Sequence, residues 1–363
     1  MNRVVAAVLG VLRGLLVPTL SIICGFAVAG VAVYLSNADP IEAFTALFQG
    51  AFILHNALPE TLVAAVPYIF LGLAVATGFK AGLFNIGADG QFYVGALAGV
   101  YCGYSIQGLP AVIHIPIALG AGVLVGGAYG VIPGVLKARF GAHEVITTIM
   151  LNHIAYGLSE FLINGGPMRD PHASAPRTPF ITPDAQLPIL LPDSRLHLGL
   201  VLALLAVPLI WFLIERTVIG FRLRAVGLNP VAARAAGISV GWTIVLVMGI
   251  SGGLAGLAGS DEVLGLAHFM PPSFSIGYGL DAIAVALVAK SNPWAVLPSA
   301  LLFGALRHGA AFMQFQTQVS ADLISVVEAT VIIFVAAPAL VRWLFRIRER
   351  SAVPASFAAQ EGV

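Results

Sequence analysis

The chain has 363 residues, of which 59% are hydrophobic and only 10% charged, whereas a soluble domain carries roughly 25% charged residues. A mean hydropathy of +0.95 and a formal net charge of +1 exclude a soluble globule, an acidic tail and a broad nucleic-acid-binding surface. Lipid cannot hydrogen-bond to exposed backbone, so the fold class is all-α, a polytopic membrane bundle of about 8–10 helices.

Arg3 and Arg13 precede an apolar run from Leu15 to Leu35, which is longer than the core of a cleaved signal peptide and is read as a retained first helix. Apolar runs then predict spans near 61–79, 89–106, 112–136, 144–164, 197–215, 241–260, 276–290, 294–315 and 322–342. The runs at 89–106 and 276–290 are short and carry polar residues, which predicts broken or re-entrant segments. Between the first two spans, Ala43–Leu54 is too short to cross and is expected to lie along the surface.

With the N-terminus in the cytoplasm, Arg3, Arg13, Lys80, Lys137, Arg139, Arg216, Arg222, Arg224, Arg234, Lys290, Arg342, Arg346, Arg348 and Arg350 fall inside. Only Arg169, Arg177 and Arg195 fall outside, while Arg307 lies within a span. That bias predicts two cytoplasmic termini. The domain organisation expected is one transmembrane domain over 1–350, with a proline-rich external loop near 165–196, a basic internal loop near 216–240 and a disordered cytoplasmic tail at 351–363. Cys24 and Cys102 both lie in apolar stretches and read as buried free thiols.

Three segments place polar residues where they need a reason. In Gly78–Gln91, Asn85, Asp89 and Gln91 stand among glycines at the edge of a span. Either a discontinuous helix presents them to a translocation path, or the segment is a cytoplasmic turn with Asp89 capping the next helix. In the internal loop, Asn229 suits an N-cap, Pro230 the first helical position and Gly237 a left-handed stop, which predicts a two-turn helix between two spans. That helix is too short to stand alone. It is either a docking element or an ordinary basic loop. In Ser275–Leu287, Asp281 follows Tyr278 and is either a ligand for sugar hydroxyls or a helix N-terminal charge. Glu144 is expected to serve a helix start, and Glu160, Glu328 and the pair Arg307–His308 to be interhelical partners.

The three lysines follow Phe79, Leu136 and Ala289, so the chain has no Gly-Lys-[Ser/Thr] phosphate loop. It also carries no His-Glu-x-x-His or Cys-x-x-Cys pattern, and its one Gly-x-Ser-x-Gly spacing, Gly249–Gly253, falls inside the apolar run 241–260 and not at the strand-to-helix elbow that a nucleophilic serine needs. Neither catalysis nor a metal site in this chain is indicated.

The motifs Gly-Leu-Phe-Asn-Ile-Gly-Ala-Asp-Gly-Gln (82–91), His-Glu-Val-Ile-Thr-Thr-Ile-Met-Leu-Asn (143–152), Asn-Gly-Gly-Pro-Met-Arg-Asp-Pro (164–171), Ala-Val-Gly-Leu-Asn-Pro-Val-Ala-Ala-Arg-Ala-Ala-Gly-Ile (225–238) and Gly-Tyr-Gly-Leu-Asp-Ala-Ile-Ala-Val-Ala-Leu (277–287) occur in this order. Together they resemble the permease subunits of bacterial ATP-binding-cassette importers, in the branched-chain amino acid and simple-sugar superfamily, nucleoside branch. Asp89 and His143 depart from that pattern, where glutamate and asparagine are usual.

The resemblance implies a bacterial inner-membrane permease with a cytoplasmic coupling helix around Gly227, Asn229, Pro230, Arg234 and Gly237. A separate ATPase would use ATP and magnesium, an extracytoplasmic binding protein would deliver cargo, and a second, different permease would complete the pore. Nucleosides would follow a path lined by Asn85, Asp89, Gln91 and Asp281. Two alternatives stay open: a permease for ribose or another simple sugar, and a proton-coupled secondary transporter using Asp89, Asp281 or Glu328.

Overall fold

The computed structural model describes residues 20–274, 277–318 and 320–336. The start expected at Leu15, the end of the last span near 342 and the tail at 351–363 lie outside the described residues, as does the Glu328 side chain. The described residues form helices, turns and loops, with a single isolated bridge between Ile189 and His197.

They fall into two compact units, one of residues 20–40 with 320–336 and one of Ile41–Gln318. In the smaller unit α1 (Leu20–Leu35) and α13 (Ala321–Ala336) approach at Gly25, where a Cβ would stand 2.8 Å from the Val331 Cα. Only a glycine lets the two backbones come so near.

The larger unit holds α2 (Pro40–Phe48, prolonged by a π turn to Ile53), α3 (Ala57–Lys80), α4 (Ala88–Ser105), α5 (Ala111–Phe140), α6 (Glu144–Asn164), α7 (Gly199–Arg216), α8 (Val218–Leu228), α9 (Pro230–Ala235), α10 (Val240–Glu262, prolonged to Ala267), α11 (Tyr278–Val288) and α12 (Pro293–Thr317). Among the described residues, six helices are long and apolar enough to cross a membrane: α3, α5, α6, α7, α10 and α12. Of the two short polar runs, the first forms the unbroken 18-residue α4 and only the second is cut short. The 11 residues of α11 reach about 16 Å at 1.5 Å per residue, roughly half the hydrocarbon thickness.

Helix α10 is the hub, packed on α3, α4 and α5. Its contact with α5 runs through a glycine ladder. A Cβ on Gly126 would stand 2.6 Å from both the Gly252 carbonyl oxygen and the Gly256 Cα, and one on Gly130 would stand 3.0 Å from the Gly252 Cα. Lipid offers no hydrophobic drive for helix association, so this close packing supplies the attraction. Helix α3 is apolar on every face and lies buried along most of its length.

The loop from Gly165 to Leu196 is irregular but tied down by backbone bonds. Thr178 and Ile181 donate to the Met270 and His268 carbonyls at 3.0 Å each, and Thr182 donates to Gly103 at 2.9 Å. At its far end the Arg195 guanidinium grips both carboxylate oxygens of Glu60, at the head of α3, at 2.5–3.1 Å. Those hydrogen bonds hold Arg195 above the ordinary arginine range.

Candidate substrate path and coupling surface

Between α3 and α4 the chain turns through Ala81–Gly87, and Gly82 takes the left-handed φ of 71°. Asn85 and Gln91 are each 1% exposed. The Asn85 amide donates to Gln91 Oε1 and to Ser251 Oγ on α10, at 2.8 Å each, while Asn85 Oδ1 accepts from the Gly87 backbone at 3.0 Å. Ser251 passes its own proton to the Ala74 carbonyl of α3 at 2.8 Å. Asn152 of α6 closes the set, accepting from Gly90 N at 2.8 Å and donating to the Ile86 carbonyl at 2.9 Å. Buried amides must be bonded, and these are bonded to one another, so they brace the break between α3 and α4.

Asp89, one turn on, is 3% exposed. It accepts from the Gly279 backbone N–H at 3.0 Å and from the Tyr156 hydroxyl. The N-termini of the two short helices α4 and α11 therefore meet at this carboxylate, which answers unpaired backbone donors of α11. The helix end that Asp89 serves is thus that of α11, not only that of α4 where the turn reading placed it, and it stands just after the break between α3 and α4.

Asp281, on the first turn of α11, keeps 32% of its side chain accessible. Its Oδ2 accepts from the Tyr68 hydroxyl at 2.9 Å and lies 3.7 Å from Arg307 Nη1. Arg307 also donates to the Tyr68 oxygen at 3.2 Å, and its guanidinium stands 4.4 Å from the centre of the Tyr278 ring. Aromatic rings extend the cluster. Tyr68 meets Tyr278 edge-on at 5.2 Å and Phe303 at 5.7 Å, and Phe92 stacks on Phe274 at 5.5 Å. Glu262 of α10 is within electrostatic reach of Tyr278 and Arg307. Tyr68, Phe92, Tyr278 and Phe303 are themselves buried, so Asp281 is the accessible hydroxyl acceptor that the cluster holds in place.

Beside the C-terminal end of α3 lies the segment expected to act as the coupling helix. Asn229 Oδ1 accepts from Val231 N and Ala232 N at 3.0 Å each, Pro230 opens α9 and Gly237 has φ 80°. This is the short capped helix that the local sequence predicts, ended one residue early at Ala235. Val231 and Leu228 are 77% and 88% exposed, and Arg234 is exposed beside them. Helix α8, which precedes α9, was not expected. It is tied back by Arg224, which pairs with Glu215 at the end of α7, while Lys80 approaches Glu215 at 3.9 Å. Gly227 presses on the α3–α4 turn, where a Cβ would stand 2.9 Å from the Ala81 carbonyl carbon and 3.0 Å from its Cα.

Residues 58–336 match the family described as branched-chain amino acid transport system / permease component. The chain belongs to this family. It is 40% identical over 341 residues to the guanosine ABC transporter permease protein NupP of Bacillus subtilis, covering 92% of this chain and 96% of that one. It is 34% identical to the nucleoside ABC transporter permease protein NupB of Lactococcus lactis, over 89% of this chain and 91% of that one. The glucose ABC transporter permease protein TsgB13 of Haloferax volcanii is also 34% identical, over 87% of this chain and 86% of its own.

Of the residues nominated for the path of this permease, Asp89 and Asp281 come together through α11, whereas Asn85 and Gln91 face each other inside the turn. Sequence reasoning did not nominate Tyr68, Phe92, Tyr156 or Glu262. Nothing local marks one tyrosine among apolar neighbours, and Tyr68 lies 213 positions from the aspartate it bonds. Arg307 was expected to pair between helices, and does. Glu144 opens α6 and pairs with Lys137. Glu160 stands exposed on α6, and no ion pair joins it to another helix among the described residues.

Proposed function

We propose that this multi-pass permease is the pore-forming subunit of a bacterial inner-membrane nucleoside importer driven by a separate ATPase. The observation that carries the reading is the cluster of Tyr68, Tyr278 and Phe303 around the accessible Asp281 and its partner Arg307. A carboxylate can take ribose hydroxyls. The names of two relatives, guanosine and nucleoside permeases, support the same substrate class. Asp281 is the direct ligand in this reading, Asp89 holds the α11 N-terminus in place, and Asn85 and Gln91 brace the turn behind it.

On the cytoplasmic side the ATPase docks on α9 through Leu228, Val231 and Arg234, with Asn229, Pro230 and Gly237 shaping the helix. Magnesium and ATP are bound in that subunit. A binding protein delivers cargo to the external face, and a second permease completes the pore. Closure of the ATPase moves α8–α9, and Gly227 transmits the movement to the α3–α4 turn that carries Asp89.

The deciding experiment is uptake of labelled adenosine by cells expressing the complete transporter with and without this chain. Competitors are excess uridine, adenosine monophosphate, ribose and glucose, the last because a glucose permease is 34% identical. Uptake that depends on this chain and is blocked by uridine alone supports the reading. Competition by a sugar alone would replace it with a sugar permease, and insensitivity to ATP depletion together with loss on collapsing the proton gradient would replace the ATP-driven mechanism.

A further inference from the structure

A second site, far from the aromatic cluster, lies where α3, α7 and α12 end together. Lys80, Trp211, Glu215, Arg216, Asn292 and Pro293 line a cavity of 430 Å³. Its charges do not cancel. Glu215 is engaged by Arg224 and approached by Lys80, whereas Arg216 makes no ion pair among the described residues and lies over the Trp211 ring at 5.6 Å. Asn292 caps α12 by accepting from Trp294 N at 3.0 Å, which turns the positive end of a 25-residue helix toward the same cavity.

Two exposed apolar stripes lead away from the cavity along the outer faces of α7 and α12, which pack on each other. On α7, Leu205, Leu209 and Phe212 are 60%, 64% and 55% exposed and sit at the i, i+4, i+7 spacing that ends at Arg216. On α12, Trp294 and Leu301 are 49% and 36% exposed, one heptad apart. Trp211 and Trp294 have ring centres 6.3 Å apart, and paired indoles at a helix end mark the membrane–water boundary.

We propose that this cavity binds the phosphate headgroup of an anionic phospholipid, with Arg216 and Lys80 as the phosphate ligands. The acyl chains lie along the α7 and α12 stripes. A soluble anion would use the same cations but would leave both stripes without a role. A free phosphate site also needs no indole pair at its mouth, whereas a lipid headgroup sits at the depth where tryptophan is favoured.

The test uses the complete transporter purified into nanodiscs of phosphatidylcholine containing about one fifth phosphatidylglycerol, with retained lipid counted by native mass spectrometry. Wild type is expected to retain phosphatidylglycerol in preference to phosphatidylcholine. Arg216→Gln should weaken that retention about fivefold, as should Lys80→Gln, the order expected for one cation near an anionic headgroup. Arg139→Gln, an exposed basic residue at the end of α5 outside the cavity, should leave it unchanged.

Equal retention of the two lipids by wild type, or an equal loss with Arg139→Gln, overturns the proposal. Displacement of the lipid by millimolar inorganic phosphate would make it a soluble-anion site. A crosslink from Leu209→Cys to the second permease subunit in the intact transporter would show that a protein covers the stripe, and would likewise overturn it. None of these results depends on which substrate the permease carries.

Discussion

Asp281 is the residue on which the proposed substrate reading turns, and it stands in the first turn of α11 while its carboxylate faces side chains of other helices. As a helix N-terminal charge it would face backbone donors. Instead its Oδ2 takes the Tyr68 hydroxyl and faces Arg307, while Asp89 supplies the acceptor for the α11 backbone at Gly279. Asp281→Asn retains the shape and removes the charge. Hydrogen bonds to charged groups contribute about 1.5–3 kcal/mol, so nucleoside affinity should fall roughly tenfold to a hundredfold, read as the half-saturating concentration for uptake. Assembly with the ATPase should persist, because Asp281 lies at the opposite end of α11 from the coupling segment. Unchanged half-saturation would return Asp281 to a purely structural role. The two aspartates were visible in the sequence because a charge inside an apolar run demands a reason. Their partners were not visible, because Tyr68 and Tyr156 belong to other helices and only tertiary packing brings them near.

Between elements, two glycine contacts do different work. Gly256 on α10 stands against Gly122 and Gly126 of α5 and against Gly95 of α4, so one position serves three helices. Gly256→Leu would drive side-chain atoms into two backbones. Overpacking commonly costs about 1–3 kcal/mol and more where backbone cannot shift, so a lowered melting temperature and poor recovery of the complex are expected. A normal melting curve would mean that α5 and α10 can separate without penalty. Gly227 makes a contact about as close, but with the end of α3 and the turn after it, where a Cβ would stand 2.3 Å from the Lys80 carbonyl oxygen. Gly227→Val should leave the exposed face of α9 intact, so the ATPase still co-purifies, while uptake per ATP hydrolysed falls several-fold. Arg234→Glu, on that exposed face, should do the reverse and weaken co-purification itself. If both variants lost the ATPase equally, docking and transmission would not be separable in this segment. The capped helix α9 was legible because Asn, Pro and Gly act locally. Helix α8 also has a local signal in its Thr217 cap, but what ties it back is the pairing of Arg224 with Glu215 on the preceding helix, which the sequence does not display.

For the whole molecule, the distribution of lysine and arginine predicts an orientation that every proposed assignment shares. The ends of α3, α5 and α7 that carry Lys80, Lys137, Arg139 and Arg216 form one side, and the long proline-rich loop with Arg169, Arg177 and Arg195 forms the other. The same division places the coupling segment with the first group and the Arg195–Glu60 clamp with the second. Cytoplasmic loops carry the basic excess, so the ATPase surface is inside only if this assignment holds. Single cysteines on a background with Cys24 and Cys102 replaced by serine test it directly. Arg139→Cys and His172→Cys are both at exposed positions and should label with opposite sidedness in intact spheroplasts. A membrane-impermeant maleimide should reach His172→Cys at once and Arg139→Cys only after the membrane is opened. The reverse pattern would invert the protein, placing α9 beyond reach of any cytoplasmic ATPase and removing the ATP-driven reading whatever the substrate. Labelling of both before opening would mean that α6, the helix between the two positions, does not cross, although it is long and apolar enough to do so.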